Sequence, residues 1–179
     1  NREYRVEMIV NLYGYAIKIG ETTFKTGESV KTIETFEDLC SIGQDLKASY
    51  VVTRDIEIPK GWTSQILSSA QEFQGTLNFQ GHTLTKNHHT LVFYKLGPNA
   101  VLENLCVRYA DDYDYATYAP KGNAGQLVYE NYGTIRNLMV EYNMDLSKPN
   151  ASIDDTNTLV YYNRWGGIIE NFSVELAKP

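Results

Sequence analysis

A chain of 179 residues, 42% hydrophobic and 21% charged, has ordinary globular composition and enough apolar material for one good core with at most a small appendage. Its formal net charge of −6 provides no basic stripe to neutralise phosphates, which excludes nucleic acid and anionic membrane surfaces as expected partners. No run approaches the roughly 20 apolar residues of a membrane span, so no membrane insertion is expected. Cys40 and Cys106 are too few for a disulfide scaffold or a thiolate metal site and read as isolated thiols.

Residues 3–30 read as strands. Tyr4–Val10 and Tyr15–Ile19 alternate with period two, punctuated by Gly14, Gly20 and Gly27, which predicts a hairpin or the end of a preceding small β module over 1–32. Thr35-Phe36-Glu37-Asp38 then has the form of a capping box, and Phe36, Leu39, Ile42 and Leu46 recur near helical spacing, predicting a short amphipathic helix at about 35–46. Tyr50–Ile58 returns to strand alternation, which Pro59-Lys60-Gly61 ends.

The second half of the chain repeats itself. Leu102–Tyr109, Ile135–Tyr142 and Ile169–Leu176 superimpose at offsets of 33 (137 minus 104) and 34 (171 minus 137). Stacked parallel strands place equivalent side chains about 4.8 Å apart, so these columns form ladders. Leu102/Ile135/Ile169, Leu105/Leu138/Phe172 and Val107/Val140/Val174 are apolar throughout. Between the first two columns the spacing is three rather than two, and Asn104, Asn137 and Asn171 sit at the slip. Asparagine tolerates the left-handed backbone region, so each coil is expected to bend there. The outward columns Glu103/Arg136/Glu170 and Arg108/Glu141/Glu175 begin with opposite charges and specify alignment more than stability. A second block, Leu91–Tyr94, Leu127–Glu130 and Leu159–Tyr162, predicts an aromatic packing column at Phe93, Tyr129 and Tyr161.

The stretch Gln126-Leu127-Val128-Tyr129-Glu130-Asn131-Tyr132-Gly133-Thr134-Ile135-Arg136-Asn137 resembles the GLUG-type repeat, roughly G-L-V-G-x-N-x-G-T-I-x-N, departing from it at Gln126 and Tyr129. Upstream, Phe36–Leu39, Tyr50–Ile56, Phe73–Leu77 and Gly81–Leu84 resemble the lead-in of such proteins, so the likeness covers about residues 33–176. The arrangement is similar to that in large bacterial surface proteins, including the non-catalytic N-terminal part of IgA1-protease-like metalloproteases. The resemblance implies an all-β chain, a right-handed parallel β-helix over 33–179 with the 35–46 helix capping its N-terminal end. It does not imply an enzyme.

Candidate sites lie in the inter-coil insertions. Asp111, Asp112, Tyr113, Asp114, Tyr115 and Tyr118 combine tyrosine faces that can stack on sugars with carboxylates that can accept from hydroxyls, which fits glycan or peptide binding. The alternatives are Ca²⁺ held by Asp111, Asp112 and Asp114, outside any EF-hand pattern, or a loop folded on the flank with its own tyrosines as glue. Asp154 and Asp155 in the next insertion raise a third option, the paired carboxylates of a polysaccharide lyase or glycoside hydrolase, although no Lys or Arg partner stands at a matching position. No metal site is expected at His82, His88 or His89, which lack ligand spacing; His82 reads as structural and the Lys86–Thr90 segment as a solvated turn. Of the two glycosylation sequons, at Asn150 and Asn171, only Asn150 would be accessible, since Asn171 lies in the core repeat.

The expectation is therefore a non-catalytic extracellular module of a bacterial cell-surface or secreted protein, acting in adhesion, contact with a host glycan or surface protein, or spacing, and needing no cofactor. The chain starts at Asn1 and ends at Pro179 directly after a strand, which predicts either a piece of a longer protein or end-to-end self-association through an open strand edge.

Overall fold

The computed structural model describes residues 2–12, 15–26, 29–62, 64–86, 91–109, 127–142 and 159–176. The alternating N-terminal segment forms β1 (Arg2–Leu12) and β2 (Tyr15–Thr26), an antiparallel hairpin with a register shift between Met8 and Ile9. β3 (Lys31–Ile33) leads into α1 (Phe36–Ser41). The capping box forms as read: the Thr35 hydroxyl accepts from the Asp38 N–H at 3.1 Å, and the Asp38 carboxylate accepts from the Thr35 N–H at 3.0 Å. The helix is shorter than expected, giving way after Ser41 to a 3-10 turn over Ile42–Gln44. Gln71 donates to the Gly43 carbonyl at 3.2 Å, and Asp45 leaves the helical region at φ −147°, so the chain turns there to enter the next strand. Phe36, Leu39 and Ile42 are buried in the core.

The strands that follow all pair in parallel: β4 (Ser49–Val52), β5 (Ile56–Glu57), β6 (Leu67–Phe73), β7 (Thr76–Asn78), β8 (Thr83–Lys86), β9 (Phe93–Leu96), β10 (Val101–Tyr109), β11 (Val128–Asn131), β12 (Thr134–Tyr142), β13 (Val160–Asn163) and β14 (Ile168–Leu176). One sheet runs β3-β4-β7-β10-β12-β14, with β8 also on β10 and β5 on β8; the other runs β6-β9-β11-β13. The chain thus visits the second sheet and then the first in successive layers: β6 to β8, β9 to β10, β11 to β12, β13 to β14. The long strand β10 lies against β7 over Val101–Glu103 and against β8 over Cys106–Tyr109, so one later strand does the work of two earlier ones.

The register between layers is the one the repeats imply. Leu102 pairs with Ile135 and Ile135 with Ile169; Leu105, Leu138 and Phe172 follow, then Val107, Val140 and Val174. Each long strand bends at its asparagine: Asn104, Asn137 and Asn171 have φ of 55°, 54° and 52°, inside the left-handed region that asparagine tolerates. Their carboxamides also bond from layer to layer. Asn104 donates to Asn78 Oδ1 at 3.0 Å, Asn137 to Asn104 Oδ1 at 2.8 Å, and Asn171 to Asn137 Oδ1 at 3.1 Å. In the earlier layer the bend is longer, with Gln80 at φ 52° and its N–H donating to Asn78 Oδ1 at 2.8 Å.

Asn137→Ala is expected to lower stability by about 2 kcal/mol, from the cost of placing a Cβ-bearing residue without a local partner in the left-handed region and from loss of half-solvated ladder bonds. Asn137→Gly, which accepts the backbone angle freely, should cost less. Urea unfolding of the two variants checks that order.

The aromatic column needs a correction. β9 pairs with β11 through Phe93↔Val128, one residue off the expected alignment, so Phe93 points into the core and stacks on Phe73 at 6.4 Å. Tyr94 takes its place, with ring centroids 4.8 Å from Tyr129, which in turn lies 5.1 Å from Tyr161. The turn from β9 to β10, Leu96 to Val101, is two residues longer than the turn from β11 to β12, Asn131 to Thr134, which sets the offset here at 35, against 33 in the long strands and the 36 of the expected column.

Candidate functional site

The residues with the strongest sequence case for binding, Asp111, Asp112, Tyr113, Asp114, Tyr115 and Tyr118, lie outside the described residues, as do Asp154, Asp155, His88, His89 and Asn150. What the described residues place together is the outer surface of the two sheets.

On the first sheet the repeat motifs become links between layers. Asp55 accepts from the Thr83 N–H at 2.9 Å and faces His82 Nδ1 at 3.3 Å; these contacts, the backbone one foremost, hold its carboxyl below the usual carboxylate range. The expected charge columns form, with Arg136 on Glu103 at 2.7 Å and Arg108 on Glu141 at 2.9 Å. Beside them an open groove of about 470 Å³ runs along the asparagine bend, lined by Gln80, Asn104, Cys106, Asn137 and Met139. Cys106 is buried, and burial pushes its thiol up, away from the thiolate form that nucleophilic chemistry needs. Cys106 and Cys40 are both free thiols.

On the second sheet the outer face is aromatic and ionic. Tyr94, Tyr129 and Tyr161 stack in a row, Tyr162 stands edge-on to Tyr161 at 4.4 Å, and the Arg164 guanidinium lies 4.2 Å from the centre of the Tyr162 ring. Arg164 also pairs with Glu130, and Lys95 pairs with Glu72 while lying 4.9 Å over the Tyr132 ring. The Glu130 hydrogen bond raises Arg164 further, as the Glu72 bond raises Lys95, so both stay cationic. The cations lie over Tyr132 and Tyr162, and with the half-exposed row Tyr94, Tyr129 and Tyr161 they make an amphipathic outer surface. Of this group only Tyr129 and Tyr161 were singled out by sequence. Glu130 is in register with Tyr162, and Arg164 reaches it from the turn after β13, so no strand offset marks the pair in the sequence. Comparison with protein-family models, with curated proteins and with solved structures returned no match. Among the described residues no cluster of three or more His, Cys, Asp or Glu side chains is placed to hold a metal ion, and no helix is long and apolar enough to cross a membrane.

Lys86 departs from its expected place at the head of a solvated turn. It ends β8 fully buried, in register with Tyr109, whose ring lies 5.6 Å from its Nζ, and burial pulls its ammonium down to about 7. Below about pH 7 the proton is held in both states and folding buries a charge. Between about 7 and the unfolded lysine value of about 10.4, only the unfolded chain holds it. The unfolded state then binds more protons, so stability rises with pH across that window. Urea midpoints should therefore rise from pH 7 to pH 9 in the native protein relative to Lys86→Met; parallel midpoints would mean that the lysine is charged throughout.

Proposed function

We propose that the chain is a non-catalytic scaffold module, a right-handed parallel β-helix from a bacterial cell-surface or secreted protein, which displays rigid outer faces for contact with a host glycan or protein and spaces neighbouring parts. The observation that carries this reading is the asparagine ladder Asn104–Asn137–Asn171, repeated at one position in three layers and bonded at its start to Asn78 of the layer before. Such a ladder needs every layer to enter the bend at the same height, as successive coils of a solenoid do. The resemblance of Gln126–Asn137 to GLUG-type repeats points the same way.

The ionic chemistry favours scaffold over catalyst. Glu103, Glu130, Glu141 and Glu72 are each engaged by a cation on a neighbouring layer, so these carboxylates align layers instead of standing ready for proton transfer. The Tyr94/Tyr129/Tyr161 row supplies the contact surface, since rigid tyrosines bring apolar area at low entropic cost.

A glycan and host-protein array, probed with the folded protein with and without calcium, tests the contact role. Binding that falls at least tenfold in a Tyr129→Ala/Tyr161→Ala variant supports it, and silence across the array reduces the module to a spacer. Turnover of pectic, alginate or host polysaccharides, lost in Asp112→Asn or Asp154→Asn, would replace this reading with that of a carbohydrate-active enzyme.

A further inference from the structure

The groove along the asparagine bend lies on the first sheet, away from the tyrosine row of the second. Gln80, Asn104, Asn137, Cys106 and Met139 line its volume of about 470 Å³, within the range of small-molecule sites. They come from the turn between β7 and β8, from β10 and from β12, and each of these layers has a neighbouring layer on both sides. The groove therefore opens sideways along the stack, independent of where the stack stops.

Its lining defines the chemistry of an occupant. Asn104 donates one Nδ2 hydrogen to Asn78 and accepts from Asn137, and Asn137 donates one to Asn104 and accepts from Asn171. A carboxamide has two N–H donors and an oxygen with two lone pairs, so each of the two keeps one donor and one acceptor for a ligand. They stand one layer apart, about 4.8 Å. Gln80 adds a third carboxamide on an exposed residue. The buried Cys106 and the half-buried Met139 supply soft, apolar wall. Every lining side chain is uncharged, and the four charges on β10 and β12 neutralise one another in pairs, Arg136 with Glu103 and Arg108 with Glu141.

We propose that this groove binds a neutral, extended polysaccharide whose chain runs along the stack, with successive sugar rings hydrogen-bonded to Asn104 and Asn137 and packed on Met139. This rests on the reading of the chain as a contact scaffold. A donor and an acceptor at each layer suit sugar hydroxyls, which are both, and the sulfur-bearing wall suits the C–H faces of the rings. The layer spacing is close to the length of one pyranose in an extended β-1,4-linked chain. A charged glycan finds no uncompensated partner here. A peptide is the poorer occupant, because β10 and β12 are paired on both edges and leave no backbone row to receive an added strand.

The probe is labelled cellohexaose, a neutral β-1,4-linked hexasaccharide, titrated with the whole protein by fluorescence anisotropy beside its curled α-1,4-linked isomer and the anionic hexagalacturonate. Saturable binding of cellohexaose is expected, insensitive to added salt because no ion pair forms, and at least about tenfold tighter than that of the other two sugars. Met139→Trp should fill the groove from a half-buried position and weaken binding at least about tenfold. Gln80→Ala, at an exposed position, should weaken it less. Both variants leave the asparagine ladder intact, so their circular dichroism and urea midpoints should stay near those of the native protein. Absence of binding at millimolar sugar, binding that both variants leave unchanged, or equal affinity for the three sugars overturns the proposal. So does binding lost in Tyr129→Ala/Tyr161→Ala but kept in Met139→Trp, which would assign the sugar to the tyrosine row. Failure here with binding on the array condemns the groove alone; silence in both reduces the module to a spacer.

Discussion

Gly133→Ala should be among the most damaging single changes in the chain, costing about 3 kcal/mol, the upper part of the range for overpacked sites. Gly133 opens the turn into β12, where a Cβ would lie 2.5 Å from the Ala100 carbonyl oxygen and 2.6 Å from that of Gly97. Neither oxygen can move aside. The Ala100 carbonyl accepts from the Thr134 N–H at 2.9 Å and the Gly97 carbonyl from the Ala100 N–H at 2.9 Å, and Gly133 itself donates to the buried Asn131 side chain at 3.1 Å. The layers approach so closely at this corner that only hydrogen fits. Gly81 provides the contrast: its φ of 87° disfavours a side chain, but a Cβ there meets nothing within 4 Å, so Gly81→Ala should cost about 1 kcal/mol. Chemical denaturation of the two variants measures the difference, and equal losses would mean that the layers do not meet at Gly133.

Leu138→Ala and Phe172→Ala form the second large contrast, because the two residues are consecutive members of one core column. Leu138 is 2% exposed between layers, so truncation removes a buried side chain and leaves a cavity, for a loss of about 2–5 kcal/mol. Phe172, larger by volume, is 54% exposed and should cost only about 1 kcal/mol, since much of its ring already meets water. A Phe172→Ala loss as large as that of Leu138→Ala would mean that the end of the stack is covered in solution.

The long strands were legible because each column is chemically constrained on both sides. A one-residue slip would have put Arg136 in the core and taken the left-handed bend off Asn137, so β10, β12 and β14 admit one alignment. The capping box was legible for the same reason, being a local pattern with a local cause. The aromatic column was not, because Leu91-Val92-Phe93 is an unbroken apolar run in which alternation carries no register, and the length of the following turn decides it. Residues on either side of β6 to β8 were harder still: the earlier layer splits one strand into two around Gln80, so it shares no simple offset with the later repeats. The burial of Lys86 had no sequence signal, since a lysine beside Asn87-His88-His89 reads as solvent-facing. For the candidate site, composition pointed to tyrosine and aspartate at 111–118, outside the described residues, whereas the described tyrosine surface draws Tyr94 and Tyr162 from blocks that read as packing motifs and Arg164 from the turn after the last of them.

The layer register is the claim on which the rest depends, and a thiol cross-link measures it. Cys106 pairs with Met139 across adjacent strands, about 4.8 Å apart at the backbone, within reach of a disulfide. In a Cys40→Ser background, Met139→Cys should form an intramolecular bond to Cys106 on mild oxidation at high dilution, seen by mass spectrometry of the digested protein. Glu141→Cys, two positions along the same face, should remain largely reduced. Failure of Cys106 to bond at position 139, or equal bonding at 139 and 141, would contradict the stacked register.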